Sequence, residues 1–180
     1  MEKKTLLSLI IILIVMTFAT CKKGLPIETQ TGADTFGCFL NGELIIPRGG
    51  GITPNHDCYY QQLAAGDSGF VFHVSGSDNK IPTNVKGIAI NVGGMKIKEG
   101  MTIPLKKGND YKTGRGQCTY ENSYFGHIYY TNDTISGFVH ISKFDEVNQI
   151  AAGTFAFKAK NSFGDSVNIT DGRFDMHFTR

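Results

Sequence analysis

The feature that most constrains this chain is the two-residue alternation in its last third. Phe155, Phe157 and Ala159 share one side of the run Ile150 to Lys160, with Thr154, Ala156 and Lys158 on the other. Farther on, Phe174, Met176 and Phe178 alternate with Arg173, Asp175 and His177. Successive side chains of a strand point to opposite faces, so this period buries one face and wets the other, as antiparallel sheets do. A helix would need apolar residues roughly every three to four positions. Beyond the N-terminal apolar segment, no run of ten residues shows that pattern.

Turn chemistry divides the rest into short strands. Phe36 to Leu40 and Glu43 to Ile46 flank Asn41-Gly42, the preferred pair for a two-residue type I′ hairpin, in which both positions need positive φ. Pro47 to Asp57 reads as a loop. Tyr59 to Ala65 is joined through Gly66-Asp67-Ser68-Gly69 to Phe70 to Val74, and Gly87 to Val92 follows. Met101 to Leu105, with Pro104, suits an edge segment. Gln117 to Tyr120, Phe125 to Tyr130 and Ile135 to Ser142 come next, then a polar turn at Phe144 to Asn148. Asp171-Gly172 reads as a turn before the last strand. Nine or ten strands of this kind predict an all-β domain, an antiparallel β-sandwich or a partly closed β-barrel.

The N-terminus has a different character. Glu2, Lys3 and Lys4 precede an apolar stretch from Leu6 to Met16 interrupted only by Ser8. A bilayer span needs roughly 20 apolar residues, so this run fits the hydrophobic region of a secretory signal better than a transmembrane helix. Thr17-Phe18-Ala19-Thr20 then leads to Cys21 and resembles the bacterial lipobox, whose cysteine is acylated, with palmitate among its chains, and becomes the mature first residue. Lys22, rather than Asp, follows the cysteine, which points to the outer membrane. The expected organisation is a lipoprotein signal peptide over 1–20, a lipidated cysteine with a flexible tether over 21–35, and one all-β domain over 36–180.

A formal net charge of +2 gives no electrostatic reason to expect nucleic acid as a partner. The most basic stretch, Lys96 to Arg115, reads as solvated strand edge. With Cys21 assigned to lipid, Cys38, Cys58 and Cys118 remain in an oxidising compartment, so three pairings are open and one thiol is left over. Cys58 and Cys118 both begin aromatic strand-like runs and are the favoured disulfide; Cys38 reads as a small buried hydrophobe.

The runs Gly153 to Phe157, Asn161-Ser162, Gly164-Asp165 and Ile169 to Asp175, with Thr35 to Cys38 and Asn41-Gly42 at the front, resemble a family of exported Bacteroidota (flavobacterial-type) lipoproteins of unknown function. The resemblance brackets nearly the whole mature domain. It implies a secreted, lipid-anchored β-domain and carries no catalytic residue with it.

Chemistry-bearing motifs are weak. Gly66-Asp67-Ser68-Gly69 matches the segment around a serine-protease nucleophile, but the nearest histidine and carboxylate, His56-Asp57, lie close by in sequence, and the segment is good turn chemistry. Gly164-Asp165-Ser166 is likewise a turn. His56, His73, His127, His140 and His177 form no pair at chelating spacing, and the Asn and Asp clusters lack calcium-loop spacing, so no metal and no cofactor is expected. Gly49-Gly50-Gly51 lacks the residues of a phosphate loop. Tyr59, Tyr60, Tyr120 and Tyr124 are the candidate ligand-binding rings. The favoured function is a non-enzymatic binding or structural module at the cell envelope. It would be held on the membrane by its lipid anchor and meet a glycan, a peptide or an envelope protein. The alternatives are a small envelope hydrolase with a loop-assembled site and a metal-binding module using cross-strand histidines.

Overall fold

A computed structural model describes residues 24–49, 55–107, 113–122, 127–135 and 137–180. The expected signal peptide, Cys21 and Tyr124 lie outside the described residues. The strands are β1 (Thr35–Leu40), β2 (Glu43–Ile45), β3 (Arg48–Gly49), β4 (His56–Gln62), β5 (Phe70–Asn79) and β6 (Asn84–Gly93). They continue as β7 (Thr102–Leu105), β8 (Gly114–Asn122), β9 (His127–Tyr130), β10 (Gly137–Asp145), β11 (Ile150–Lys160) and β12 (Ser166–His177). Among the described residues the only helical turn is a 3-10 turn at Asp67–Gly69, so the fold is all-β, as the alternation predicts.

The strands follow the order β2-β1-β12-β11-β10-β7-β8-β6-β5-β3, with β4 added to β5. Strand β9 bonds to both β8 and β11, so β7, β8, β9, β11 and β10 close into a five-stranded barrel from which the other strands extend. Within the barrel, closure leaves no open edge to invite pairing with other chains. Edge protection continues at β4, where the Thr179 amide donates to the Cys58 carbonyl and the Tyr60 amide to the Thr179 carbonyl. The inward positions form one core that includes Phe36, Phe72, Ile90, Val139, Phe155, Phe174 and Phe178. Phe144 and Phe178 stack there with ring centroids 5.2 Å apart.

Several turn expectations change. The Asn41-Gly42 hairpin forms, with φ of 51° and 86°. At Asp171-Gly172 the chain does not turn: β12 runs through it with a β-bulge. Asp171 takes φ 55°, and the register slips against both neighbours, Phe155 facing Gly172 but Phe157 facing Ile169. One extra residue accommodated in this way bends and twists a strand, which suits a sheet closing on itself. Strand β10 runs to Asp145, into the expected turn, because the Phe144 ring is drawn into the core. The expected loop after Pro47 contains β3, paired in parallel with β5. Strand β7 pairs along its length with β10 and touches β8 only at Leu105 and Gly114, so it is not an outer edge.

The tether expectation also needs correction for residues 24–34, which lie as a strap along the outer face of β12. Asp175, 1% exposed, accepts hydrogen bonds from Thr29 Oγ1 (2.5 Å), the Thr31 amide (3.0 Å) and the Gly32 amide (2.8 Å). Arg173 donates to the Pro26 carbonyl at 3.2 Å, and the His177 amide donates to Asp34 at 2.9 Å. Burial pushes the Asp175 pKa up, but the bonds from Thr29, Thr31, Gly32 and Ala33 outweigh it and hold the carboxyl below its usual range. A composition typical of a linker thus binds because one buried carboxylate collects its donors.

Cys58 and Cys118 are not bonded: all three described cysteines are free and buried. Strands β5 and β6 lie between β4 and β8. Three strand spacings put the two residues about 14 Å apart along the sheet, whereas a disulfide needs Cα atoms within about 7 Å.

Candidate surface groove

The outer face of β4, β5, β6 and β8 carries the side chains that the core does not use. Pairing sets them in rows across the strands: Asp57, Ser75, Ala89, Gln117 and Tyr130 form one; Tyr59, His73, Asn91 and Arg115 the next; Ser77, Gly87, Thr119 and Ile128 a third. Small residues (Ser75, Ser77, Gly87, Ala89) occupy the middle and larger ones the flanks. The result is a cleft of about 280 Å³ walled at one side by Asn55, His56 and Asp57 and at the other by Gln117 and Thr119.

The flanking groups are held in place. Tyr59 stacks on His73, with ring centroids 4.7 Å apart and planes 12° from parallel. His73 Nδ1 lies 2.8 Å from Asn91 Oδ1, which fixes the ring in its plane. The Arg115 guanidinium sits over Tyr130, 4.7 Å from its centroid, a cation–π contact that keeps the arginine lying along the surface. Gln117 Nε2 donates to Thr119 Oγ1 at 3.3 Å. The groove therefore offers amides, hydroxyls, two imidazoles and one carboxylate, with Tyr59 and the Arg115–Tyr130 pair on the sheet surface around it.

The predicted ligand-binding tyrosines fare unequally. Tyr59 reaches this face as half of the stacked pair. Tyr60 is 3% exposed and points inward, between Phe70 and Phe144, with its hydroxyl accepting from the Ile97 amide at 3.4 Å. A ring sealed in the core cannot serve as a platform, and burial pushes its pKa up. Tyr120 also points inward, edge-on to Tyr129 with centroids 5.9 Å apart, and burial raises its pKa to about 12. Sequence reasoning missed Asn91, Arg115 and Gln117 and weighed His73 only as a cross-strand metal ligand. Their outward parity is legible from alternation, but the strand order that makes them neighbours is not.

The other chemistry considered from the sequence is dispersed. Ser68 is exposed on the 3-10 turn, where the Gly69 amide bonds back to the Gly66 carbonyl. Among the described residues no serine hydroxyl bonds to a histidine ring, and Ser77 instead donates to the Asn55 carbonyl at 3.3 Å. His140 pairs with Thr102 at 2.9 Å, His177 faces Asp34 at 3.3 Å, and His127 meets the Phe163 ring edge-on. Among the described residues no three His, Cys, Asp or Glu side chains converge to hold a metal ion. None of their helices is long and apolar enough to cross a membrane.

No curated protein and no solved structure matches the chain. The family described as "Domain of unknown function (DUF6252)" matches residues 79–176, from the end of β5 through nearly all of β12. That match covers more than half of the 180 residues, and the chain belongs to the DUF6252 family.

Proposed function

We propose that this protein is an outer-membrane lipoprotein of the Bacteroidota type, acylated at Cys21, whose β-domain binds a glycan in the groove of β4, β5, β6 and β8 without breaking it down. The observation that carries the reading is the groove itself: a floor of small side chains bordered by Asn55, His56, Asp57, His73, Gln117 and Thr119, with Tyr59 stacked on His73 beside it. Sugars present C–H faces that lie against aromatic rings and hydroxyls that pair with amides and imidazoles, and the groove supplies both kinds of partner. The signal-like N-terminus ending at Ala19-Thr20-Cys21, followed by Lys22, supports the address.

Two measurements test the reading. Titration calorimetry of the Cys21→Ser chain against a panel of envelope and host oligosaccharides is expected to find a ligand, and Ala89→Phe, which fills the floor, is expected to weaken it by at least about tenfold. A ligand bound equally well by Ala89→Phe would place recognition elsewhere, and a silent panel would remove the glycan reading. For the anchor, wild-type cells are expected to take radiolabelled palmitate into the protein and Cys21→Ser cells are not; equal labelling would remove that part.

A further inference from the structure

We infer that the end of the domain bearing the β1–β2, β5–β6 and β11–β12 turns is a membrane-contacting surface, with Phe163 and Ile81 seated in the lipid headgroup region. This inference rests on the acylation at Cys21 proposed above. Exposed apolar side chains occur at both ends of the domain: Phe163 (81%), Ile81 (54%) and Ile128 (43%) at this one, Val147 (91%) and Leu63 (71%) at the other. Exposure alone therefore does not choose between the ends. The strap does.

The strap begins beside the β1–β2 turn. Gly24 lies so close to Leu44 that a Cβ on it would stand 2.6 Å from Leu44 Cδ2. From there the strap runs along β12, past Arg173 at Pro26, to Asp175 at Thr29–Gly32. It cannot swing to the other end without breaking those bonds. Three residues lead from Cys21 to Gly24, a reach of at most about 11 Å. A lipid on Cys21 thus holds this end, and only this end, against the bilayer.

The surroundings suit that contact. The Asn41 amide bonds to the Asn168 carbonyl at 2.9 Å, placing the β1–β2 turn beside the start of β12 and hence beside Phe163. Lys86 bonds Glu43 at 2.6 Å across to β6, which brings in the β5–β6 turn and Ile81. Glu43 is thereby ion-paired, and Asp165 accepts from Asn161 at 3.1 Å. Lys80 and Lys160 are exposed beside the apolar tips, and Lys22 and Lys23 follow the lipidated residue in sequence. Apolar tips flanked by Lys80 and Lys160 match the interface of an anionic phospholipid surface. In this pose the strands stand away from the membrane and the groove opens sideways.

The chain has no tryptophan, so single substitutions report without background. The full-length acylated protein would be reconstituted into phosphatidylethanolamine–phosphatidylglycerol vesicles carrying brominated acyl chains, as Phe163→Trp, Ile81→Trp and Val147→Trp variants. Emission at positions 163 and 81 is expected to shift to the blue and fall at least about twofold, while position 147 stays unquenched. Position 81 provides the readout if Phe163→Trp does not fold. Quenching at 147 equal to or above that at 163 and 81 overturns the inference. Vesicle flotation with none of the three quenched also overturns it, while leaving the acylation reading intact. A chain that takes no palmitate and does not float removes both.

Discussion

The outer faces of β12 and of β5–β6 arise from the same two-residue alternation, yet the first is covered by residues 24–34 of the same chain and the second is open. On β12 the outward residue Asp175 is buried as thoroughly as a core side chain, because the strap supplies its donors. On β5 and β6 the corresponding positions are Ser75, Ala89 and His73, short or planar groups that leave a hollow. Outward parity in a strand thus decides only that a side chain leaves the core. What it meets there depends on whether another segment carries complementary donors.

The comparison is tested most severely by the glycines. At Gly153 on β11 an added Cβ would overlap the His140 carbonyl oxygen and stand 2.8 Å from the Phe174 ring. Backbone of a paired strand cannot retreat, so Gly153→Ala is expected to cost about 3 kcal/mol, read as a lowered urea midpoint. At Gly87 on the groove floor the nearest atoms would be 3.9 Å away, ordinary contact. Gly87→Ala is expected to leave stability within about 0.5 kcal/mol or to raise it slightly by restricting the unfolded chain. Equal losses at the two positions would mean that the open groove floor is as constrained as the core side of β11.

Removing the carboxylate that covers β12 is the next largest effect. Asp175→Ala strands the amides of Thr31 and Gly32 and is expected to cost about 2 kcal/mol, with fast hydrogen exchange at those two amides and little change at Ile90 on β6. The pH dependence has a definite sign. The folded-state pKa of Asp175 is depressed, so its contribution is complete above the unfolded value of about 3.9 and is lost as pH falls through the lower folded value. Exchange at Thr31 and Gly32, corrected for its intrinsic rate, is expected to be flat from about pH 5 to 8 and to accelerate below about pH 4. Flat exchange down to pH 2 would assign the strap's hold to other contacts.

Local signals carried most of the fold. The Asn41-Gly42 hairpin, the alternation of β11 and the inward Phe174 and Met176 of β12 follow from neighbouring residues, and each stands in the structure. Asp171-Gly172 was misleading because the same dipeptide serves a turn or a bulge, and only the long partner β11 decides between them. The strap was illegible for a related reason: Thr29 and Thr31 find their acceptor more than 140 residues away. For the site, Tyr59 was within reach of sequence reasoning, whereas Tyr60 differs from it by one position and so faces the core. Rows such as His73–Asn91–Arg115 depend on β8 lying next to β6, which no local pattern encodes.

The smallest expected effect concerns what joins the open half to the rest. A Cys58–Cys118 disulfide would tie β4 to β8, but β4 is secured instead by β5 and by the Thr179 bonds, so the groove side needs no covalent staple. A domain of this length buries enough surface to be stable without one. Burial raises the pKa of Cys38, Cys58 and Cys118, with Cys118 reaching about 12, so none presents a thiolate near neutral pH. In the Cys21→Ser chain an aromatic disulfide reagent is therefore expected to find no reactive thiol in the native state and all three described cysteines after denaturation without reductant. Reductant is expected to shift the melting temperature by less than about 1 °C, since breaking no bond changes no chain entropy. A single thiol after denaturation, with a melting temperature lowered by reductant, would show a covalent tie and move the difference between the two faces from packing to cross-linking.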